Sequence, residues 1–299
     1  METIVSLFSI YAFIFLGWIA KKIFKERIDE KSLVLISIYF LSPILVFWGL
    51  TTQKIDATAV DAPFIFFIVT AIALVLSLVF ANFLFKEKKD RSIATVASII
   101  GNTGNLGIPL GIALFGEVSV LYTSIINLVN IFVINTIGVF FYARGEFSTK
   151  EAFLKIFALP AIWFGVFGIL FNLSDLTIPS SISLSLEMGA YANMVIQLFI
   201  FGMYLYGVKT KEIDFKLFGF VGIMKFVVTP ILALYILSLF TLTDIIYNVI
   251  LLELLVPLAV TNVNLSALYN CKVNQVAFLV FSTSVIFLGY IFLVLGMFR

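Results

Sequence analysis

Apolar residues run along this chain in long blocks separated by short polar loops. Ten blocks are each close to the roughly 20 residues a helix needs to cross a bilayer. They span Thr3–Ala20, Ser32–Leu50, Phe64–Phe85, Ile93–Gly116, Val118–Tyr142, Ala152–Phe171, Ser183–Tyr206, Leu217–Phe240, Asp244–Tyr269 and Val273–Met297. The pattern predicts an all-α polytopic membrane protein with ten transmembrane helices. Two polar strings interrupt it. Gly101-Asn102-Thr103-Gly104-Asn105-Leu106-Gly107-Ile108-Pro109 lies in the fourth block, and Pro257-Leu258-Ala259-Val260-Thr261-Asn262-Val263-Asn264 in the ninth. Paired interruptions at corresponding places in two halves are the best sequence pointer to a transporter's binding site at the bilayer midplane.

Composition agrees with this class. Of 299 residues 62% are hydrophobic and only 12% charged, about half the charge of a soluble domain. The net charge of +2 is too small to suggest a nucleic-acid partner. There is no histidine, and the single cysteine, Cys271, excludes an intrachain disulfide. The first block precedes its basic cluster, whereas a cleaved signal has the positive charge first, so that block is expected to stay as a span.

Charge fixes the expected orientation. Loops after odd-numbered blocks carry 16 of the 19 Lys and Arg. The positive-inside rule then places both termini outside. Blocks one to five and six to ten enter from opposite sides, so the expected arrangement is a 5+5 inverted repeat, residues 1–145 and 146–299, meeting at Arg144–Lys150.

The chemistry lies at the interruptions. Pro109 and Pro257 each remove an amide donor and clash with the preceding turn, and Gly101, Gly104 and Gly107 loosen the first string. Asn102, Thr103, Asn105, Thr261, Asn262 and Asn264 can bond the freed backbone or a substrate. Exposed half-helix N-termini favour anions. A pair of packing kinks is the plainer alternative. Thr123, Asn127 and Asn130 share one helix face, as cavity lining or as interhelical glue; Asn193 and Gln197 are one turn apart and equally open. Lys225 and Glu253 are charges inside blocks, where charge is expensive. They can pair, couple transport to an ion, or serve structure alone. No nucleophile–base, P-loop or metal-ligand motif is present, so an enzyme, a metal and a cofactor are not expected.

The string GNTGNLGIPLGIALFGE, with Phe15-Leu16-Gly17-Trp18, Ser42-Pro43-Ile44-Leu45, Lys225…Pro230 and Pro257…Tyr269, resembles the auxin efflux carrier family, which includes the PIN-FORMED transporters and permeases for malate and malonate. That resemblance implies broken helices four and nine crossing at the centre. It also implies a scaffold of spans 1, 2, 6 and 7, often a homodimer interface, and a transport domain of spans 3–5 and 8–10 that works as an elevator in the cell membrane. Its substrates are small organic anions. Carried onto this chain, the substrate-binding residues are Asn102, Thr103, Asn105, Pro109, Pro257, Thr261 and Asn262. Asn127 is added from its helix face, with Lys225 and Glu253 for coupling to protons or sodium. Asn262 stands where PIN-FORMED carriers have a second proline, and their long central loop is absent. Sodium symport of the bile-acid type and a non-transporting sensor are the alternative functions.

Overall fold

Helix is the secondary structure of this chain, and no β-strand forms among the described residues. The computed structural model describes residues 2–55, 57–143, 159–174, 176–207 and 213–299, without the side chains of 2–10, 57 and 58. The junction Arg144–Lys150, the boundary at 145/146 and the start of the sixth block lie outside the described residues.

In chain order the helical elements are α1 (Glu2–Phe24), α2 (Glu30–Thr51), α3 (Asp61–Leu84), α4 (Lys88–Val96), α5 (Thr103–Phe115), α6 (Glu117–Ala143), α7 (Pro160–Leu173), α8 (Ser180–Tyr206), α9 (Phe215–Leu237), α10 (Asp244–Leu255), α11 (Thr261–Leu268) and α12 (Val273–Met297). Six of them, α2, α3, α6, α8, α9 and α12, are 22 to 27 residues long and apolar enough to cross a membrane. At 1.5 Å per residue they reach about 33–40 Å. Their outward faces carry Phe40, Phe83, Phe215 and Leu293, all strongly exposed. Apolar residues on every side suit helices that meet protein on one flank and lipid on the other.

Three helices widen their turn just ahead of a proline. The wide turns Ser37–Leu41, Thr103–Gly107 and Met224–Val228 each end two residues before Pro43, Pro109 and Pro230. A proline ring cannot approach the carbonyl four residues back, and one extra residue per turn relieves the clash.

Packing divides the helices. α1 lies along α8, and α2 packs on α7 and α8. The α1–α8 approach is closest at Gly17 and Gly202, where any Cβ would strike the backbone of Phe199 and Ile14. α3 packs on α4, α9 and α10, and α6 packs on α2 as well as on α3 and α10. Between these two groups lies a small separate apolar cluster of Leu45, Trp48, Ile108, Val120, Ala190 and Met194.

Candidate functional site

The two interruptions meet each other. Gly101 and Leu258 form an isolated antiparallel bridge. The Asn102 amide donates to the Pro257 carbonyl and the Ala259 amide to the Ile100 carbonyl, both at 2.9 Å. Backbone freed from a helix in an apolar setting must find a partner, and here each break supplies the other.

Side chains lock the crossing. Asn262 donates to the carbonyls of Ile100 (3.1 Å) and Ala259 (3.0 Å) and accepts from the Tyr142 hydroxyl (3.0 Å). Asn130 donates to the Gly101 carbonyl and to Thr103 Oγ1, each at 2.8 Å. Thr103 Oγ1 in turn donates to Asn127 Oδ1 at 2.9 Å.

The three glycines of the first string are slots rather than hinges. None has a positive φ. Each makes room for one polar side chain from another helix. A Cβ on Gly101 would lie 3.3 Å from Lys225 Nζ, and one on Gly104 2.7 Å from Asn127 Oδ1. A Cβ on Gly107 would overlap the Glu253 carboxylate.

On one side of the crossing is a cavity of about 180 Å³. The crossing contributes Asn102, Thr103, Gly104, Asn105, Val260 and Thr261, with Asn264 beyond them; α6 contributes Asn127, Asn130 and Asn135. The opposite wall has Ser42 of α2 with Asn193, Gln197 and Tyr204 of α8. Among the described residues, no Asp, Glu, Lys or Arg lines it. Ser37 ties that wall together, donating to Asn193 Oδ1 at 2.6 Å and accepting from Gln197. Tyr204 donates to Asn264 Oδ1 at 3.0 Å, joining α8 to α11 across the cavity.

Both α5 and α11 begin at this cavity, and neither has a side-chain cap. Among the described residues, the amides of Thr103, Gly104, Asn105, Val260 and Thr261 donate to nothing. Asn102 Nδ2 and Asn130 Oδ1 are buried without a partner. A helix N-terminus with its amides free is a ready anion site.

Of the residues expected from the sequence, Asn102, Thr103, Asn105, Asn127 and Thr261 line this cavity. Pro109, Pro257 and Asn262 do not. Pro109 is the second residue of a regular turn beginning at Ile108, several residues past the extended segment. Pro257 sits in the second break and offers its carbonyl to Asn102. Asn262 is fully buried in the crossing, with its amide spent on the backbone. Thr123 bonds carbonyls of its own helix. Asn135 and Tyr204 were not anticipated. Asn135 lies eight residues after Asn127, about 80° around a regular helix from it, so the spacing of Asn127 and Asn130 gave no pointer to it.

Lys225 and Glu253 lie on the other side of the first break. They share a cavity of only about 10 Å³ with Phe66, Thr70, Ala73, Ser98, Ile99, Thr229 and Leu254. Lys225 Nζ donates to the Leu254 carbonyl at 3.0 Å, at the C-terminal end of α10. Both Glu253 oxygens are buried and unpartnered. Of the alternatives open for Lys225 and Glu253, the direct ion pair does not form; the ammonium turns instead to a helix-end carbonyl, where cations are favoured.

A model of the family described as "Membrane transport protein" matches residues 2–295. The uncharacterized transporter MJ1031 of Methanocaldococcus jannaschii is 25% identical over 275 residues, covering 88% of each chain. A match over almost the whole length, on helices apolar enough to cross a membrane, places this chain in the membrane transport protein family, the auxin efflux carrier family.

Proposed function

We propose that this protein is a secondary active transporter of a small organic anion, bound where the two breaks cross. One observation carries the reading: two uncapped helix N-termini, with five free amides, begin at one cavity of about 180 Å³ whose described lining carries no charged side chain. Neutral donors and helix dipoles hold a carboxylate without a salt bridge, which eases release as well as binding.

The remaining architecture follows in the same reading. α4 with α5, and α10 with α11, each form one broken span, so the twelve elements make ten crossings in two inverted halves. α1, α2, α7 and α8 are the scaffold and the expected homodimer face. α3–α6 and α9–α12 move against it as an elevator, sliding at the apolar cluster around Trp48 and Ile108. The cavity includes Val34, Leu159, Tyr204 and Asn264, near the basic ends of their helices, and the apolar cluster closes its other end. By the positive-inside rule it opens to the cytoplasm of a cell membrane, with both termini outside.

Uptake of labelled lactate, malate, malonate and phenylacetate into proteoliposomes tests the reading, with proton and sodium gradients imposed separately. The expected result is uptake of at least one acid, abolished by Asn102→Ala with Thr261→Ala. No uptake above that variant for any acid or gradient would contradict it.

A further inference from the structure

The narrow side of the crossing holds chemistry that substrate binding does not use. Glu253 has both oxygens buried and unpartnered. An ionised carboxylate so placed has no protein donor to offset its desolvation. Its surroundings offer no relief. Among the residues lining its cavity, Lys225 is the one with a charged side chain. α3 from Ala62 onward, α5, and α6 after Glu117 contain no Asp, Glu, Lys or Arg up to Tyr142. Asp61, Glu117 and Asp244 are confined to first turns, and Arg299 bonds Asn248 at the chain terminus. Lys225, by contrast, has its ammonium on the Leu254 carbonyl and close behind Gly101, whose other side lines the anion cavity.

We propose that Glu253 is a proton-binding site that couples to the anion through Lys225, so that one proton travels with each negative charge. The proposal rests on the anion-transport reading. In the proposed anion-binding state, the proton is on the Glu253 carboxyl and the Lys225 ammonium, held by the Leu254 carbonyl, carries the charge. That charge then acts through the thin wall at Gly101 and favours an anion in the cavity. When Glu253 loses its proton to water, the carboxylate cancels the lysine's field and the anion is released. Linkage makes the effect reciprocal: protonation tightens anion binding by the factor by which the anion tightens proton binding, typically about 5- to 150-fold.

Two measurements test this on the full-length protein in liposomes. Infrared pH titration of wild type against Glu253→Gln should show a protonated-carboxyl C=O band in the wild type at about pH 7, where an ordinary carboxyl is ionised, and no such band in the variant. Uptake of the labelled acids should be driven by an inward proton gradient in the wild type. In Glu253→Gln the gradient should have no effect, while exchange of internal for external acid continues. Glu253→Leu, apolar and of similar size, is the second neutral variant should Gln misfold. A missing band in the wild type, or gradient-driven uptake that survives in either folded variant, overturns the proposal. If the wild type moves no acid at all, the anion reading fails and the coupling with it, while the infrared band still reports whether Glu253 holds its proton.

Discussion

The first break presents two unlike faces. Toward the cavity it offers neutral groups: free amides, Asn102, Thr103 and Asn105, around about 180 Å³ of space. Toward α9 and α10 it meets Lys225 and Glu253 in about 10 Å³, room for roughly one water. Charge is kept off the binding surface and held one backbone thickness behind it. The contrast suggests a division of labour, in which dipoles hold the ligand weakly enough to let go and buried charge sets when that happens. The glycines of the first string make this possible, since Gly101 and Gly107 admit the charged residues on one face and Gly104 admits Asn127 on the other.

The sharpest way to break the contrast is Gly107→Ala. Its methyl group would occupy the place of the Glu253 carboxylate. Overpacking of this kind costs about 1–3 kcal/mol, more where neighbours cannot shift. Thermal unfolding in detergent should show the loss, and Gly107→Ala with Glu253→Ala should be less destabilised than the sum of the singles. Additive effects would mean that the slot is not what Gly107 provides.

Asn262→Ala and Asn102→Ala should separate lock from ligand site. Asn262 has its amide and carbonyl spent on Ile100, Ala259 and Tyr142. Its loss should cost about 2 kcal/mol of stability, since it strands the buried Tyr142 hydroxyl. Asn102→Ala removes an amide nitrogen with no partner, so stability should change little. Affinity for the transported acid should fall about tenfold, one hydrogen bond's worth. Melting curves with and without ligand read both quantities, and a reversed pattern would exchange the two roles.

These assignments mark how far the sequence could be read. The polar strings at Gly101–Pro109 and Pro257–Asn264 identified both breaks, because polar residues within long apolar blocks are rare and proline disrupts helix locally. The slots were not readable. Lys225 and Glu253 are more than 100 residues from the glycines that admit them, and a glycine does not reveal what fills the space beside it. Pro109 misled for a similar reason: it widens the turn before it, but the extended segment at Ile100–Asn102 is held by pairing with the distant second break. Asn262 looked like a ligand residue because an unpaired asparagine and a backbone clamp have the same sequence. Tyr204 gave no signal among the other aromatic residues of its helix.

The smallest expected effect lies at the basic end of the molecule. Lys272 pairs with Glu87 (2.6 Å) and Asp90 (2.7 Å), stapling the loop before α12 to the N-cap and first turn of α4. The Lys272 hydrogen bond holds the Glu87 carboxyl below the usual carboxylate range. A depressed carboxyl contributes stability that is present above its unfolded value and lost as pH falls through its folded one. Lys272→Gln should therefore cost less than about 1 kcal/mol near neutral pH, since Glu87 is solvent-exposed. The difference should shrink in high salt and in acid. A cost that persists in both would place the staple's worth in packing rather than charge.

The central claim is that an anion sits on the free amides of the crossing. Hydrogen–deuterium exchange with a saturating transported acid tests it most directly. The account predicts slowed exchange at Thr103–Asn105 and Val260–Thr261, with Asn102, already bonded to Pro257, unchanged. Protection elsewhere in the protein, with these amides unaffected, would contradict it.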